Sequence, residues 1–382
     1  MKIRHIILLI TTLVSGLQVE GQSLWKKFYD GWLIKPRNVD STYIYQQSMG
    51  FTPSLTSNFS RQSVKMTTTL EIEDFPVLDA SFNPVLDENG NATYADILIA
   101  SIDRLEESPS RRAGVILGLG RLGAGWSFEI SPDSSQKSSS FLFSFRGNKF
   151  GLNINYLSFR QKLIEEYYSD PSSPLFDNHY ESTTGNRVRR LTMDGYFIIN
   201  TRRFAYPPGI AGNMVQLKSA GSWMLAARYL QSTIDMDPDY AIAGFGMLQV
   251  SLGCGYSYTW VPWSRHPHPN GKGMCTFFIN GTLIPMLTVV NFLSVKPYND
   301  LDGLINTDEK NSLCWPTPNI LANATVGFSW SKFYLGAQFN YNVFHFNTRN
   351  AISSTGTLQE SGIETMGVLY EWNLGLKLQA CF

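Results

Sequence analysis

The stretch YEWNLGLKLQACF, residues 370–382, alternates without a break between apolar and polar side chains. A strict two-residue period predicts a β-strand with one apolar face and one wet face. The stretch is longer than the roughly 9–11 residues that cross a bilayer as a tilted strand. Its apolar face consists of Tyr370, Trp372, Leu374, Leu376, Leu378, Ala380 and Phe382. The end of the chain therefore predicts a membrane-crossing strand.

The composition of the 382-residue chain fits a membrane β-protein. Charged residues make up 16%, against roughly 25% in soluble domains. Basic and acidic residues balance at 31 each, so no strong field favours nucleic acid as a partner. No long apolar run follows residue 21, and lipid cannot satisfy exposed backbone groups. The composition predicts an all-β fold, a closed antiparallel transmembrane β-barrel.

The N-terminus predicts a signal peptide over residues 1–21. Lys2 and Arg4 precede a short apolar core, and cleavage is expected after Gly21. The core is too short for a typical membrane helix, although an uncleaved anchor is the alternative interpretation. The predicted division of the chain is a signal peptide at 1–21, a short periplasmic lead-in at 22–53 and the barrel at 54–382.

Alternation elsewhere in the chain predicts about 12 strands. They lie near residues 54–70, 112–120, 124–131, 139–146, 149–160, 188–200, 219–233, 245–261, 273–291, 319–330, 332–347 and 362–382.

The lengths of the connections test this strand count. Bacterial barrels have an even strand number, short periplasmic turns and long external loops. With the C-terminus in the periplasm, the tight connections at Gly120–Gly123, Gly147–Asn148 and Ser331 all fall on the periplasmic side. The long connections 71–111, 161–187, 292–318 and 348–361 fall outside. Two segments do not fit this rule, because 201–218 and 262–272 are long and yet should be periplasmic.

Two segments resemble motif blocks of a known family. One is DGYFIINTRRFAYPP at residues 194–208, followed by QLKSAGSW at 216–223, and the other is GLGRLGAGW at 118–126. They resemble an uncharacterised family of Gram-negative outer-membrane barrel proteins that is described only as a domain of unknown function. The resemblance covers nearly the whole mature chain. It implies a barrel in the outer membrane, and it transfers no activity and no catalytic residue.

One candidate site follows from the basic residues of the segment 187–218, where Asp194 is the only acid. We expect this segment to fold toward the lumen and form a basic constriction or an anion-selective site. Pro207 and Pro208 end any regular strand there and favour an irregular insert. The alternative interpretation is scattered charges that find partners elsewhere. The candidate residues are Arg187, Arg189, Arg190, Arg202, Arg203 and Lys218.

A hydrolase site on the barrel wall is the rival interpretation. His345 is the only histidine within a strand pattern, and Ser329 and Asn340 on neighbouring strands are its candidate companions. There is no nucleophile elbow and no paired-acid signature, and parity places His345 on the lipid-facing side. The chain is therefore not expected to be an enzyme.

Metal and disulfide signals are weak. His266 and His268 lie in a connecting segment, and Asp300 and Asp302 lie in a turn without the downstream calcium-ligand pattern. The four cysteines form no CxxC pair, which favours isolated thiols over disulfides. No metal and no cofactor is predicted.

The leading functional hypothesis is a passive channel, or a structural barrel that presents external loops. The alternatives are the wall hydrolase and a ligand-binding surface protein that uses the loop 161–187. The last strand, which ends at Phe382, is similar to the closing strand of bacterial outer-membrane barrels. That likeness implies outer-membrane lipid and the barrel-assembly machinery as partners, with a small solute as ligand and no nucleic acid.

Overall fold

A computed structural model of the chain describes a closed barrel. The described residues are 38–47, 50–77, 83–106, 110–130, 138–146, 149–169, 181–206, 214–235, 242–266, 272–297, 310–313, 316–348 and 360–382. The predicted signal peptide, most of the lead-in, Cys314 and the pair Asp300 and Asp302 lie outside these residues.

Twelve strands form the wall, and every wall pairing is antiparallel. They are β2 (Phe51–Pro76), β4 (Ser110–Leu119), β5 (Leu122–Glu129), β6 (Ser139–Arg146), β7 (Phe150–Ser169), β8 (Glu181–Ile198), β10 (Ala220–Asp235), β11 (Ile242–Arg265), β12 (Cys275–Pro297), β14 (Pro318–Trp330), β15 (Phe333–Thr348) and β16 (Glu360–Ala380). Four further strands are β1 (Ile44–Gln46), β3 (Tyr94–Glu106), β9 (Met214–Gln216) and β13 (Lys310–Leu313).

The barrel closes where its last strand meets its first. β16 pairs with β2 from Gln379 opposite Ser54 to Glu360 opposite Ile72. This long ladder leaves neither end strand with an open edge, which is the condition for a sheet in lipid. Each of the twelve predicted strands corresponds to a wall strand, and the first begins at Phe51, three residues before its predicted start. Within the described residues, no helix is long and apolar enough to cross a membrane.

The outer face of the wall is apolar and exposed. Leu55 is 60% exposed and Leu376 is 55% exposed, although each pairs with a neighbouring strand on both sides. An apolar surface of this extent would destabilise the protein or cause aggregation in water, whereas lipid accommodates it. Aromatic rings are common on the same face near the strand ends, as at Trp223, Trp260 and Trp330.

The prediction of one long external loop over 71–111 was wrong, because the segment contains a strand. β2 continues to Pro76, and β3 returns along it. β3 then pairs with β7 from Ile99 opposite Ser169 to Glu106 opposite Lys162. Beyond the ends of the short strands β4, β5 and β6, β3 therefore lies between β2 and β7 and pairs with both.

The two ends of the barrel differ as the parity rule predicts. We call one end the turn rim, which holds the connections 120–121 and 331–332 and the C-terminal Phe382. The other end is the loop rim. Gly120 and Ser331 have positive φ values of 59° and 52°, which tight reversals require.

The two long segments that did not fit the rule belong to the turn rim and have a structural role there. β9 lies within the first of them and pairs with β1 from the lead-in, in a separate two-stranded sheet. We call residues 38–47, 199–206 and 214–219 the turn-rim insert. The second segment begins as strand, because β11 continues to Arg265.

The lumen is closed on the loop side by packed apolar side chains. Eight strands contribute inward-facing residues to one cluster, and each member is at most 3% exposed. We call this cluster the apolar layer. Its members are Val64, Leu157, Phe159, Val188, Leu230, Ile234, Met247, Leu293, Phe344, Phe346 and Leu369.

The outer face provides the first testable prediction. Replacing Leu376 with arginine should lower the free energy of unfolding in lipid vesicles by about 2–4 kcal/mol, because the charge would face hydrocarbon. Urea titration of the reconstituted barrel measures the effect, and Leu376→Met is the matched control. Equal stability of the arginine and methionine variants would contradict a lipid-facing position.

Candidate lumenal site

A cavity of about 300 Å³ lies in the lumen between the apolar layer and the turn-rim insert. Phe344 of the apolar layer borders it on one side, and Tyr206 of the insert borders it on the other. The inward residues of β8 follow this order along the strand: Val188 belongs to the apolar layer, Arg190 and Asp194 line the cavity, and Ile198 packs against the insert.

Two ion pairs and one amide form a connected network in the cavity wall. Arg190 Nη2 lies 2.5 Å from Glu371 Oε1. Arg228 donates to Asp194 from Nε, and also from Nη2 to Oδ2 at 3.0 Å. Asn342 connects the pairs, because it accepts from Arg228 Nη1 at 3.0 Å and donates to Glu371 Oε2 at 3.1 Å.

The network is charge-balanced, with two cations and two anions. The side chain of Arg190 is 2% exposed and that of Arg228 is 6% exposed, so both guanidinium groups are largely removed from bulk water. The Arg228 guanidinium also lies 5.2 Å from the centre of the Phe344 ring, which places the network directly beneath the apolar layer. Buried charges need such partners, since an unpaired one would cost several kcal/mol.

Side-chain amides dominate the rest of the polar lining. Asn340 accepts from Asn323 at 2.5 Å and from Gln338 at 3.0 Å. The carbonyl oxygens of Asn153 and Asn373 have no hydrogen-bond partner within the described part of the chain. The eight lining amides are Asn58, Asn153, Asn155, Asn323, Gln338, Asn340, Asn342 and Asn373.

Gln216 holds the turn-rim insert together. Its fully buried side chain donates to the carbonyl oxygens of Arg203, Lys218 and Tyr43 at 2.7, 2.9 and 3.3 Å. It also accepts from the Ala205 amide at 2.9 Å. One side chain thus joins three separate stretches of backbone.

The insert enters the lumen with apolar residues. Phe204 is 1% exposed and packs with Met224 and Ile284 of the wall. The Tyr206 ring meets that of Tyr196 edge-on at 5.2 Å. Gln47 attaches the lead-in to the wall, because its amide donates to the Ser331 carbonyl at 2.6 Å.

The six predicted basic residues do not meet in one constriction. Arg190 lines the cavity. Arg187 and Arg189 alternate with it and are exposed on the outer face, where Arg189 lies 2.7 Å from Asp235. The strand period separates the three, since neighbouring residues point to opposite faces.

Arg202, Arg203 and Lys218 lie on the solvent side of the insert, where all three are exposed. Arg203 lies 5.1 Å and Lys218 5.6 Å from the centre of the Tyr43 ring. Asp40, 3.7 Å from Arg203, has a lowered pKa because Thr42 donates hydrogen bonds to its carboxylate, with Arg203 adding to the effect. The insert therefore turns apolar groups inward and cations outward.

The candidate hydrolase residues are separated by the wall. His345 lies on the outer face, with Nδ1 2.6 Å from the Pro318 carbonyl oxygen. Ser329 and Asn340 lie on the inner face. His266 contacts the Tyr45 ring at 4.9 Å, whereas His268 is outside the described residues.

Within the described chain, Cys254, Cys275 and Cys381 form no disulfide bond.

Sequence reasoning missed Arg228, Glu371 and Asn342 as site residues. Each lies on the wet face of a predicted strand, and Arg228 is the only charged residue between Ala220 and Ile234. A charge alone on the inner face of a long strand is a usable signal, because it must find a partner on another strand.

The network provides a second prediction. Arg190→Met should lower the free energy of unfolding by about 3–5 kcal/mol, because it leaves Glu371 buried and unpaired. The double variant Arg190→Met/Glu371→Leu should recover most of that loss, as measured by urea unfolding in vesicles. Arg189→Met, which breaks an exposed pair, is the control and should cost less than about 1 kcal/mol. Equal losses in the single and double variants would contradict the pairing.

Comparison with known proteins identifies a family but no activity. Among solved structures, the chain is similar to the P. putida toluene transporter TodX, with 10% identity, a TM-score of 0.22 and coverage of 85% of this chain and 90% of that chain. It is also similar to a Pseudomonas aeruginosa FadL homologue, with 8% identity, a TM-score of 0.20 and coverage of 92% and 95%. Likeness this distant carries no argument about ligands.

No curated protein matches the chain. The model of a family described as "Domain of unknown function (DUF4421)" matches residues 112–361, which is more than half of the chain. The chain therefore belongs to the DUF4421 family.

Proposed function

We propose that this protein is a gated channel for a small polar solute in the outer membrane of a Gram-negative bacterium, and that the present structure is its closed state. The observation that carries the proposal is a cavity in the lumen, lined by amides, ion pairs and apolar groups, that lies between the apolar layer and the turn-rim insert. A barrel of about 12 strands is wide enough for such a path once both closures move.

The turn-rim insert is the first proposed gate. Its two strands pair only with each other, so no ladder joins them to the barrel sheet. Apart from bonds of Ile199 and Asn200 to β10, the described contacts that attach it are a few side-chain hydrogen bonds, such as Gln47 to Ser331, and the packing of Phe204. Such contacts can break while the wall remains intact, because each contributes only about 0.5–1.5 kcal/mol net.

The apolar layer is the second proposed gate. A narrow apolar constriction excludes water and ions without a covalent barrier, since polar groups lose their hydration there. Phe346 lies over Gly367, where an added Cβ would come within 2.3 Å of the ring. The ring therefore occupies space that only a residue without a side chain provides.

Cellular placement completes the proposal. We propose export through the signal at residues 1–21, cleavage after Gly21 and assembly through the strand that ends at Phe382. The turn rim would face the periplasm and the loop rim the exterior. The apolar outer face, the short turns at one rim and the long connections at the other support this orientation.

Release of the insert provides the third prediction. Gln216→Ala should raise the open probability of single channels in planar bilayers about tenfold or more, because it removes four hydrogen bonds that hold the insert. Gln231→Ala, at an exposed position of β10, is the matched control and should behave like the native protein. A Gln216→Ala barrel that stays folded and never conducts would favour the purely structural role instead.

Hydration of the apolar layer provides the fourth prediction. Phe346→Asn should increase open probability, because a polar side chain allows water into the constriction. Phe346→Leu keeps the layer apolar and should leave the channel mostly closed, although the lost ring volume lowers stability. The same bilayer recording tests both variants. Equal open probabilities in the two variants would show that the layer does not act by excluding water.

A further inference from the structure

We infer that the cavity binds a neutral, hydroxyl-rich solute of the size of a mono- or disaccharide. The inference rests on the proposed channel function for access to the site, and it deepens that function by naming the substrate class. It is argued from the lining amides, the internal balance of the charged network and the charges at the two rims.

The chemistry of the lining matches hydroxyl groups. An amide presents donors and acceptors side by side, as a hydroxyl does, so each can bind the other in several orientations. Eight amides line the cavity. Two of their oxygens, on Asn153 and Asn373, have no partner among the described residues, so acceptor capacity is left for a donor such as a sugar hydroxyl.

The two ion pairs do not call for a charged ligand. Lys377, the other charged residue of the cavity lining, also has an interaction within the protein. Arg190 and Arg228 are each paired with a carboxylate, and Asn342 connects the two pairs. A carboxylate or phosphate ligand would add a third anion beside Glu371 and Asp194, which already neutralise both arginines. A neutral ligand can bind beside the network without breaking either pair.

The rims favour the same class of solute. The five connections at the turn rim carry seven basic residues and no acidic residue, and the seven at the loop rim carry thirteen acidic and three basic residues. An anion therefore meets repulsion at the loop rim and a cation meets it at the turn rim, whereas a neutral solute meets neither. The turn-rim connections are 120–121, 147–149, 199–219, 266–274 and 331–332, and the loop-rim connections are 77–93, 107–109, 130–138, 170–180, 236–241, 298–317 and 349–359.

The volume sets the size of the ligand. A cavity of about 300 Å³ lies at the lower end of the range of small-molecule sites, which is roughly 300–1,000 Å³. The apolar lining groups, among them Ile284, Leu321 and Phe344, can cover the carbon faces of a sugar ring while the amides take its hydroxyls.

Equilibrium binding to the purified full-length barrel tests the inference. The probes are glucose, its anionic and cationic relatives gluconate and glucosamine, and sucrose, measured by saturation-transfer NMR and calorimetry. The native barrel and the Gln216→Ala variant are both used, so that a closed insert cannot hide the site. We expect glucose or sucrose to bind, and gluconate and glucosamine to bind at least tenfold more weakly.

Matched variants locate the binding. Asn373→Leu and Asn153→Leu should each weaken binding of the neutral sugar about tenfold, which corresponds to one lost hydrogen bond. Asn89→Leu, in an exposed turn at the loop rim, should have no effect. Failure of both neutral sugars to bind either barrel, tighter binding of a charged relative, or unchanged affinity in both cavity variants would overturn the inference. Ion conductance without sugar binding would support the channel and contradict the sugar site. Sugar binding without conductance would support the sugar site and contradict the channel.

Discussion

Every other feature of this molecule depends on the hydrogen-bond ladder between β16 and β2. In lipid, an unpaired strand edge would cost several kcal/mol per backbone group, so the sheet must close on itself. Closure then fixes the role of each side chain, because alternate residues face lipid and lumen. Leu376 faces lipid for this reason, and Lys377 beside it lines the cavity. The lumen becomes the place within the membrane where charged groups can be held.

A lumen of this width is filled mainly by its own side chains, which divide it into layers along the axis. On β16 the inward residues pass from Leu369 in the apolar layer to Glu371 and Asn373 in the cavity wall. β8 and β15 show the same order, from Val188 to Arg190 and from Phe344 to Asn342. Functional specificity can therefore vary by changes in one layer while the lipid-facing surface stays the same.

The wall could be predicted from the sequence because a two-residue period is a local signal, and the lipid-facing position of His345 followed from it. β3 was missed because its sequence has no two-residue period, since the apolar residues Ile97 and Leu98 are consecutive. The cavity network was beyond such reasoning, since 181 positions separate Arg190 from Glu371. Strand tilt and register determine which inward-facing residues lie at the same depth along the barrel axis. The sequence of a single strand does not encode either of them. The insert was expected to fold inward, but Phe204 enters the lumen and the arginines beside it remain in solvent.

The two closures of the lumen differ in their physical character, which has a consequence for gating. The insert is held by polar contacts centred on Gln216, and these can be exchanged for contacts with water when the insert leaves. The apolar layer cannot exchange its contacts for contacts with water in this way, because separating its side chains exposes apolar surface to water. The free-energy cost of that exposure must be offset by contacts of a bound solute or of the amides that line the cavity. Phe344 and Tyr206 border the cavity on opposite sides, so the proposed solute would contact both. Occupancy of one small site can therefore bias both closures, without any change in the hydrogen-bonded wall between them.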